Sequence, residues 1–594
     1  MTLGILDRFY VKILKWRRDY LSDYTFVILL AVLVGLAGGL AAVLLKSIIH
    51  TVEAYTATLA KKMLFLFIPI LGILIVSALK HYIFPRVSAF TGIGNVVYSI
   101  ARDSAHIPTT LTYSRMITAG LTMGFGGSAG LESPIVVTGS AIGANIARFF
   151  RLGHKYRTLF IGCGTAAGVS AIFNAPIGGI LFALEVIIPH FSTEIFIPVL
   201  ISAATGSIFS QIFMGSEVLF HIDQVTIFHP REIPYVVMLG ILSGLTSLYY
   251  TRVGLWVQKL LAYWQKWYVR ALMGGLMLGL LIFLVPVFYG EGYISVRALL
   301  YFQFQNLMGN SFLFQSLTDQ PWAVSLFFLV LIMGKPLAAN LTIASGGDGG
   351  TFAPSFITGA FLGYWFYHMC IWLIPGATLS PTNYILFGMS GLLAGVMHAP
   401  LTAIFIIAEM SGGYTLFIPL MLVVAIAYFT KLRFNRKPIY LQANKFQDLD
   451  IAHQEAISLH EIQLKDLLHN DAEPLRSDLS LGDLVKIVSG SKANEFPVLH
   501  DGLLIGIIVV VDIRRWLFRT ENYGQIKVKD LMQLPEATVD IEENMASVLA
   551  KFDTFGAWVL PVLEHRKFKG FIYKSEVFAA YRDALHKARE LDKN

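Results

Sequence analysis

Residues Gly127–Pro134 read GSAGLESP, and in the run that contains them, Met116 to Ala147, Glu132 is the only ionisable residue. A carboxylate in so apolar a segment is costly and usually functional. The apolar residues before it (Met116–Ser128) and after it (Pro134–Ala147) are each too short to span, since a crossing takes roughly 20 residues. The pattern therefore predicts two helices that stop inside the membrane, with irregular backbone between them. Such backbone is tolerated at that depth only where it is buried in protein or lines a cavity. Pro134 suits the first turn of the second helix, where its missing N–H is no loss. Amides around Gly130 and Leu131 would then face a cavity, as an anion site at a helix start requires. A carboxylate there competes with the anion for the same place and can act as a gate. The plainer reading is a buried neutral glutamate bonded to backbone.

The surroundings agree with a membrane setting. The chain has 594 residues, 55% hydrophobic and 14% charged, with mean hydropathy +0.63. Apolar stretches such as Tyr24–His50, Met63–Phe84, Ile195–Phe213, Tyr235–Leu261, Ala271–Phe288 and Trp322–Met333 recur up to about Thr430. The expected organisation is an N-terminal segment (1–23), an all-α polytopic membrane domain (24–440) and a polar tail (441–594). Arg8, Lys12, Lys15, Arg17 and Arg18 precede the first span, and KLRFNRK (Lys431–Lys437) follows the last. By the positive-inside rule both termini are cytoplasmic, in a multi-pass protein of the cell (inner) membrane. These flanks account for the net charge of +7. No basic run interleaves with aromatics, so no nucleic-acid partner is expected. Cys163 and Cys370 both lie in apolar segments and indicate no disulfide framework.

Two internal repeats stand out. Gly127, Gly130, Glu132, Pro134, Thr138, Gly139 and Gly143 recur as Gly347, Gly350, Phe352, Pro354, Thr358, Gly359 and Gly363, at a constant offset of 220. AGVSAIFNAP, ending at Pro176, is echoed by AGVMHAP, ending at Pro400, and nine residues after each proline stands a glutamate, Glu185 or Glu409. Repeated halves with Gly/Pro-interrupted apolar segments are the signature of a transporter built from two related halves, here expected to be inverted. In the tail, FPVLHDGLLIGIIVVVDI (496–513) aligns with LPVLEHRKFKGFIYKSEV (560–577) at an offset of 64. Each copy reads as strand, turn, strand and helix start, preceded by a helical stretch (Leu481–Val488, Met545–Phe552).

These motifs resemble those of the CLC family of chloride channels and proton-coupled chloride exchangers. GSAGLESP resembles the family's G-[KR]-E-G-P signature, GGTFAP (Gly349–Pro354) its G-x-F-x-P signature, and TGIGN (Thr91–Asn95) a degenerate G-S-G-I-P. HAPLTAIFIIAEM (His398–Met410) and KPIY (Lys437–Tyr440) sit where the family has similar sequence. The tail resembles a pair of CBS modules, with repeats at about 465–520 and 529–585. The resemblance implies a homodimer in lipid with one pore per subunit, carrying chloride or a similar monovalent anion and requiring no cofactor. It makes Glu132 the gate and assigns the anion site to the hydroxyls of Thr91 and Tyr440 with amides near Ile93, Thr351 and Phe352. CBS modules often bind adenine nucleotides. Asp512 and Glu576 supply the acidic partner of such a site, but Val509 and Tyr573 replace its hydroxyl.

Three departures bear on mechanism. Leu131 and Ser133 flank Glu132 where the family has a basic residue and glycine. Thr91 and Gly94 replace the serine and proline of the third signature. In LFALEV, Val186 occupies the position at which exchangers of the family carry an inner proton-relay glutamate. A valine carries no proton, so the expectation is channel-like or weakly coupled conduction. The alternatives are a proton-coupled chloride antiporter with another proton route, or a carrier for nitrate or bicarbonate. Glu185 and Glu409 read as structural hydrogen-bonders, His398 and His190 as lone histidines without metal spacing. Asp348, in GGDGG, fits either a helix cap or the lining of an outer mouth. The G-x-S-x-G at Gly126–Gly130 lacks the preceding strand that a hydrolase elbow needs. No zinc or phosphate-loop motif occurs, which argues against a metalloprotease or an ATP-driven pump. A receptor sensing through the tail would need a different set of membrane motifs.

Overall fold

A computed structural model of the chain describes residues 22–59, 66–85, 90, 92–102, 105–150, 152, 154–188, 193–215, 220, 226–317, 320–374, 376–442, 464–470, 472–491, 493–500, 502–518, 520–543, 545–564 and 567–580. It forms two compact units, 1–447 and 448–594. The first is helical. Its helices are α1 (Asp23–Leu59), α2 (Phe67–Ala78), α3 (Ile93–Arg102), α4 (Ser114–Gly124), α5 (Glu132–Phe149), α6 (His154–Phe173), α7 (Pro176–Phe182), α8 (Thr193–Met214) and α9 (Ile233–Ala262). They continue as α10 (Trp267–Leu284), α11 (Tyr293–Leu300), α12 (Phe304–Gly309), α13 (Pro321–Ala344), α14 (Phe352–Leu373), α15 (Pro381–Met397), α16 (Pro400–Met410) and α17 (Phe417–Phe434). Seven helical segments among the described residues are long and apolar enough to cross a membrane, so this is a multi-pass membrane protein. The Met63–Phe84 stretch is not among them. Met63–Phe65 lie outside the described residues; the described helix runs from Phe67 and widens into a π turn, Leu79–Ile83.

The repeat positions explain the packing. A Cβ at Gly139 would come within 2.1 Å of Gly164 O, and one at Gly143 within 1.8 Å of Phe160 O, so α5 and α6 pack backbone to backbone. The second copy repeats this between α14 and α15. There, Cβ atoms at Gly359 and Gly363 would fall 2.2 Å from Gly388 O and 2.0 Å from Tyr384 O. Small residues bring membrane helices together in this way because dispersion, not water exclusion, holds them.

Short helices α7 and α16 begin alike. Asn174 and His398 adopt left-handed backbone (φ 53° and 55°), and Pro176 and Pro400 follow as first helical residues. The amides left without partners in each first turn are capped by the glutamate of the other copy. Glu409 accepts from Ile177 N (3.1 Å) and Gly178 N (2.8 Å). Glu185 accepts from Leu401 N (3.2 Å), Thr402 N (2.9 Å) and Thr402 Oγ1 (2.8 Å). Both glutamates thus make the structural hydrogen bonds expected of them, satisfying orphan donors at helix starts.

The second unit is α/β. Its strands β1 (Leu475–Arg476), β2 (Glu495–His500), β3 (Leu503–Val509), β4 (Val539–Asp540), β5 (Val559–Glu564) and β6 (Lys567–Tyr573) form one sheet in the order β1-β2-β3-β6-β5-β4. The two hairpins share one register. Val498 faces Gly506 as Val562 faces Gly570, and each strand then shifts register. The segments leading into the repeats are exchanged. His469 bridges to Phe571 in the second hairpin, and Gln533 bridges to Ile507 in the first.

Backbone contact at Gly143 leaves no room for a methyl group. We expect Gly143→Ala to destabilise the membrane unit by about 1–3 kcal/mol, the usual cost of overpacking. Gly413→Ala, where a Cβ meets open space, is the control. Equal melting temperatures for the two purified variants in detergent would show that α5 and α6 are not locked by this contact.

Candidate functional site

The site is built where the two repeats touch. Helix α4 ends at Gly124, and the chain turns at Gly126 (φ 83°). Ser128 N then donates to Thr342 Oγ1 at 3.0 Å. Gly130 and Gly350, equivalent positions of the two copies, form an antiparallel bridge. Gly130 N donates to Gly350 O (3.0 Å) and Gly350 N to Gly130 O (2.8 Å). The amide of Gly130 is therefore spent on its counterpart. This corrects the expectation that it serves an anion, because the bridge is the cheapest way to satisfy both glycines inside the membrane.

Glu132 opens α5 and is 1% exposed. Its carboxylate folds back over the bridge. A Cβ at Gly130 would lie 2.1 Å from Oε2, and one at Gly350 would lie 2.0 Å from Oε1. Only glycine at both positions leaves room for it. Oε1 accepts the Phe352 amide at 2.6 Å, and the amides of Ala353 and of Glu132 itself also face the group. Oε2 has no hydrogen-bond partner among the described residues. The carboxylate thus rests on the first turn of α14, a 22-residue helix whose unpaired amides attract negative charge.

Beside it lies a cavity of about 640 Å³. Ile93 at the start of α3, Gly94, Ser133, Thr351, Phe352 and Tyr440 line it. Ile93, Phe352, Thr351 and Tyr440 are thereby brought together. Thr91 lies outside the described residues. Leu131 is buried immediately before α5 and does not line the cavity. Val186 is buried in the π turn Ala183–Ile187 and does not line it either.

The wall of the cavity is charged; sequence reasoning offered Asp348 as a cap or a mouth lining and missed Lys80, Arg115 and Arg270. Asp348 is 3% exposed, takes hydrogen bonds from Arg115 and Thr118, and lies 3.8 Å from Lys80. Its own amide donates to Thr122 Oγ1 (2.9 Å), and its carboxylate is spent on these side chains. Lys80 also donates to Gly346 O (3.2 Å) and Gly347 O (2.9 Å). Arg115 further donates to Phe90 O, and Arg270 completes the cationic side. The clue that the sequence offers is the offset of 220, which sets Arg115 against Lys335 and Asp348 against Ser128. In the second unit, Glu576 sits 2.5 Å from His469 and Tyr573 donates to Glu495 (2.9 Å), while Asp512 lies in the first turn of a helix, Val510–Leu517. Glu576 is thus already engaged within the protein.

Paired broken helices whose amides converge on a buried carboxylate beside a donor-lined cavity define a membrane transport protein for small anions. The chain belongs to the voltage-gated chloride channel family, whose model matches residues 72–432. A ClcB-like protein of Ralstonia nicotianae is 30% identical over 325 residues, which cover 54% of this chain and 71% of the relative. The H(+)/Cl(-) exchange transporter ClcA of Vibrio vulnificus is 29% identical over 335 residues, 54% of this chain and 66% of its own. The crystal structure of a slow cyanobacterial Cl-/H+ antiporter shares the fold, with TM-score 0.60, 21% identity, and coverage of 71% of this chain and 97% of that one.

Asp348 and Arg115 form a buried pair, and removing one partner strands the other. Asp348→Ala should cost about 3–5 kcal/mol, and adding Arg115→Met should recover most of it. Thermal unfolding of both purified variants checks this. A double variant no more stable than Asp348→Ala would mean that the aspartate holds the wall through Thr118 and Lys80 instead.

Proposed function

We propose that the protein exchanges chloride, or a similar monovalent anion, for protons through a CLC-type pore gated by Glu132. The observation that carries this reading is the 2.6 Å bond from the Phe352 amide to Glu132 Oε1. The carboxylate occupies an amide seat suited to a transported anion. Ionised, it excludes the anion; protonated, it loses most of its hold on the amides, and an anion can take its place. Neutral donors such as these amides and the Tyr440 hydroxyl bind an anion without trapping it. Exchange is favoured over channel-like conduction because the ClcA relative is an exchange transporter although its match is partial. Val186 supports the second reading, uncoupled conduction, since it offers no proton site on that side. On either reading the membrane domain consists of two related inverted halves, as the reciprocal capping by Glu185 and Glu409 suggests. The tail is a CBS pair and the assembly a homodimer in lipid with both termini cytoplasmic. An adenine nucleotide site at Asp512 and Glu576 would first have to displace His469.

Purified protein in chloride-loaded liposomes, with valinomycin setting the voltage, tests the gate. Glu132→Gln mimics the protonated carboxyl. It should pass chloride independently of pH and move no protons, whereas in the wild type the chloride gradient drives protons uphill. A wild-type pH profile in this variant would remove Glu132 from the gate. Chloride release without proton movement in the wild type would establish the uncoupled reading. Absence of both fluxes would turn the search to nitrate and bicarbonate.

A further inference from the structure

The cavity beside the gate carries more positive charge than the protein compensates. Among the described residues three cations line it, Lys80, Arg115 and Arg270, against one carboxylate, Asp348. Lys80 and Arg115 are both engaged with Asp348, and each also donates to backbone carbonyls. Arg270 differs. Its guanidinium makes no hydrogen bond or ion pair to another described residue, and its Nε is shut off from solvent without a partner. A charged group withdrawn from water and left unpaired is costly. One left open on a cavity wall points to an anion that enters the cavity.

Helix α10 sets the place of Arg270. Gly274, one turn later on the same face, packs so closely that a Cβ there would lie 2.4 Å from the Ser345 Cβ. This face of α10, and Arg270 with it, is thereby turned toward the loop 345–348. Lys80 reaches the same loop from the end of α2, donating to Gly346 O and Gly347 O. Trp267, one turn before Arg270, also lines the cavity and stacks on His81, with ring centroids 5.4 Å apart. The exposed rings of Tyr82 and Tyr268 meet the same indole edge-on, at 5.8 and 5.7 Å. Aromatic rings of this kind collect where membrane meets water. This mouth of the cavity therefore lies at the level of the lipid headgroups, on the cytoplasmic side in the orientation proposed above.

The gate and this mouth suit different ligands. Neutral amides and hydroxyls let a halide leave again, whereas an uncompensated guanidinium holds what it binds. Its planar fork matches a phosphate two oxygens at a time. The cavity, about 640 Å³, is of the size that takes organic ligands and far exceeds a single halide. We propose that Arg270 anchors a phosphate-bearing anion at the inner mouth of the cavity, where it blocks the path to Glu132 and slows anion transport. The phosphate comes from a free solute or from the headgroup of an anionic lipid, which basic pockets between helices bind on this side of a membrane. The slowing rests on the transport reading above, and the binding does not.

Calorimetric titration of the purified full-length protein with inorganic phosphate reads the binding directly. Arg270→Gln should weaken it roughly tenfold or more, the worth of charge-assisted hydrogen bonds. Arg270→Lys, which keeps the charge and loses the fork, should weaken it less, and it carries the test if Arg270→Gln does not fold. Chloride release from liposomes then separates the two sources. Each protein is compared with its own release in pure phosphatidylcholine without phosphate. Slowing by added phosphate that the variant loses identifies a free solute. Slowing by phosphatidylglycerol in the vesicle that the variant loses identifies a headgroup. Binding or slowing that is the same in the variant as in the wild type overturns the inference, as does the absence of both, or binding that leaves the flux unchanged. A wild type that passes no chloride removes the transport reading and leaves the calorimetric result to decide the binding.

Discussion

Everything in the membrane unit turns on one contact, the carboxylate of Glu132 lying across the Gly130–Gly350 bridge onto the amide of Phe352. Backbone inside a membrane must be satisfied internally. The bridge satisfies both glycines and thereby fixes where the two broken helices stop. The amides left over belong to the first turn of α14, and their partner is either a protein carboxylate or an anion from solution. Side chains at positions 130 and 350 would close the groove in which the carboxylate lies. The glycines are thus a requirement of the gate as much as of the turn.

The reciprocal bonds of Glu185 and Glu409 are the same solution in a second place. A helix that starts inside the protein exposes amides, and a carboxylate from the other copy covers them. The difference lies in reach. Each of these two glutamates binds two amides through both oxygens. Glu132 has one close bond and leaves Oε2 without a partner. A doubly held carboxylate is a fixture, whereas one held through a single oxygen can leave. That contrast separates structural from mobile carboxylates more clearly than their sequence motifs do.

Much of this was legible in the sequence because it repeats. The offset of 220 pairs Gly130 with Gly350 and Glu132 with Phe352, so the two residues that meet in the site are the ones that align. The helix starts at Pro176 and Pro400 and the tandem hairpins of the tail were legible for the same reason. The Gly130 amide was misjudged because a repeat pattern says that two segments are alike, not that they pair with each other. The Asp348–Arg115 contact was not read from the sequence, although the same offset sets Arg115 against Lys335 and Asp348 against Ser128, the two residues that make the equivalent bond in the other copy. The repeat says that such residues are alike, and only tertiary structure shows that each cation reaches the loop of the other copy.

These buried cations also answer the question raised by the flanks of Glu132. Leu131 and Ser133 put no cation beside the gate, and Arg115, the nearest cation before it in sequence, is committed to Asp348. Positive charge reaches the site from two other directions. Lys335 is bound to Ser128 within the gate's own loop, and Lys80, Arg115 and Arg270 lie on the wall of the cavity. A cation fixed next to the gating carboxylate would hold it in the ionised, seated form through Coulomb attraction that low dielectric magnifies. With Lys335 held by Ser128 Oγ and Gly290 O instead, Glu132 is bound chiefly by amide dipoles. An anion can match those dipoles, and a proton on the carboxyl can undo them. With no cation at positions 131 and 133 and Arg115 committed to Asp348, the gate is lightly held, and either an anion or a proton can release it.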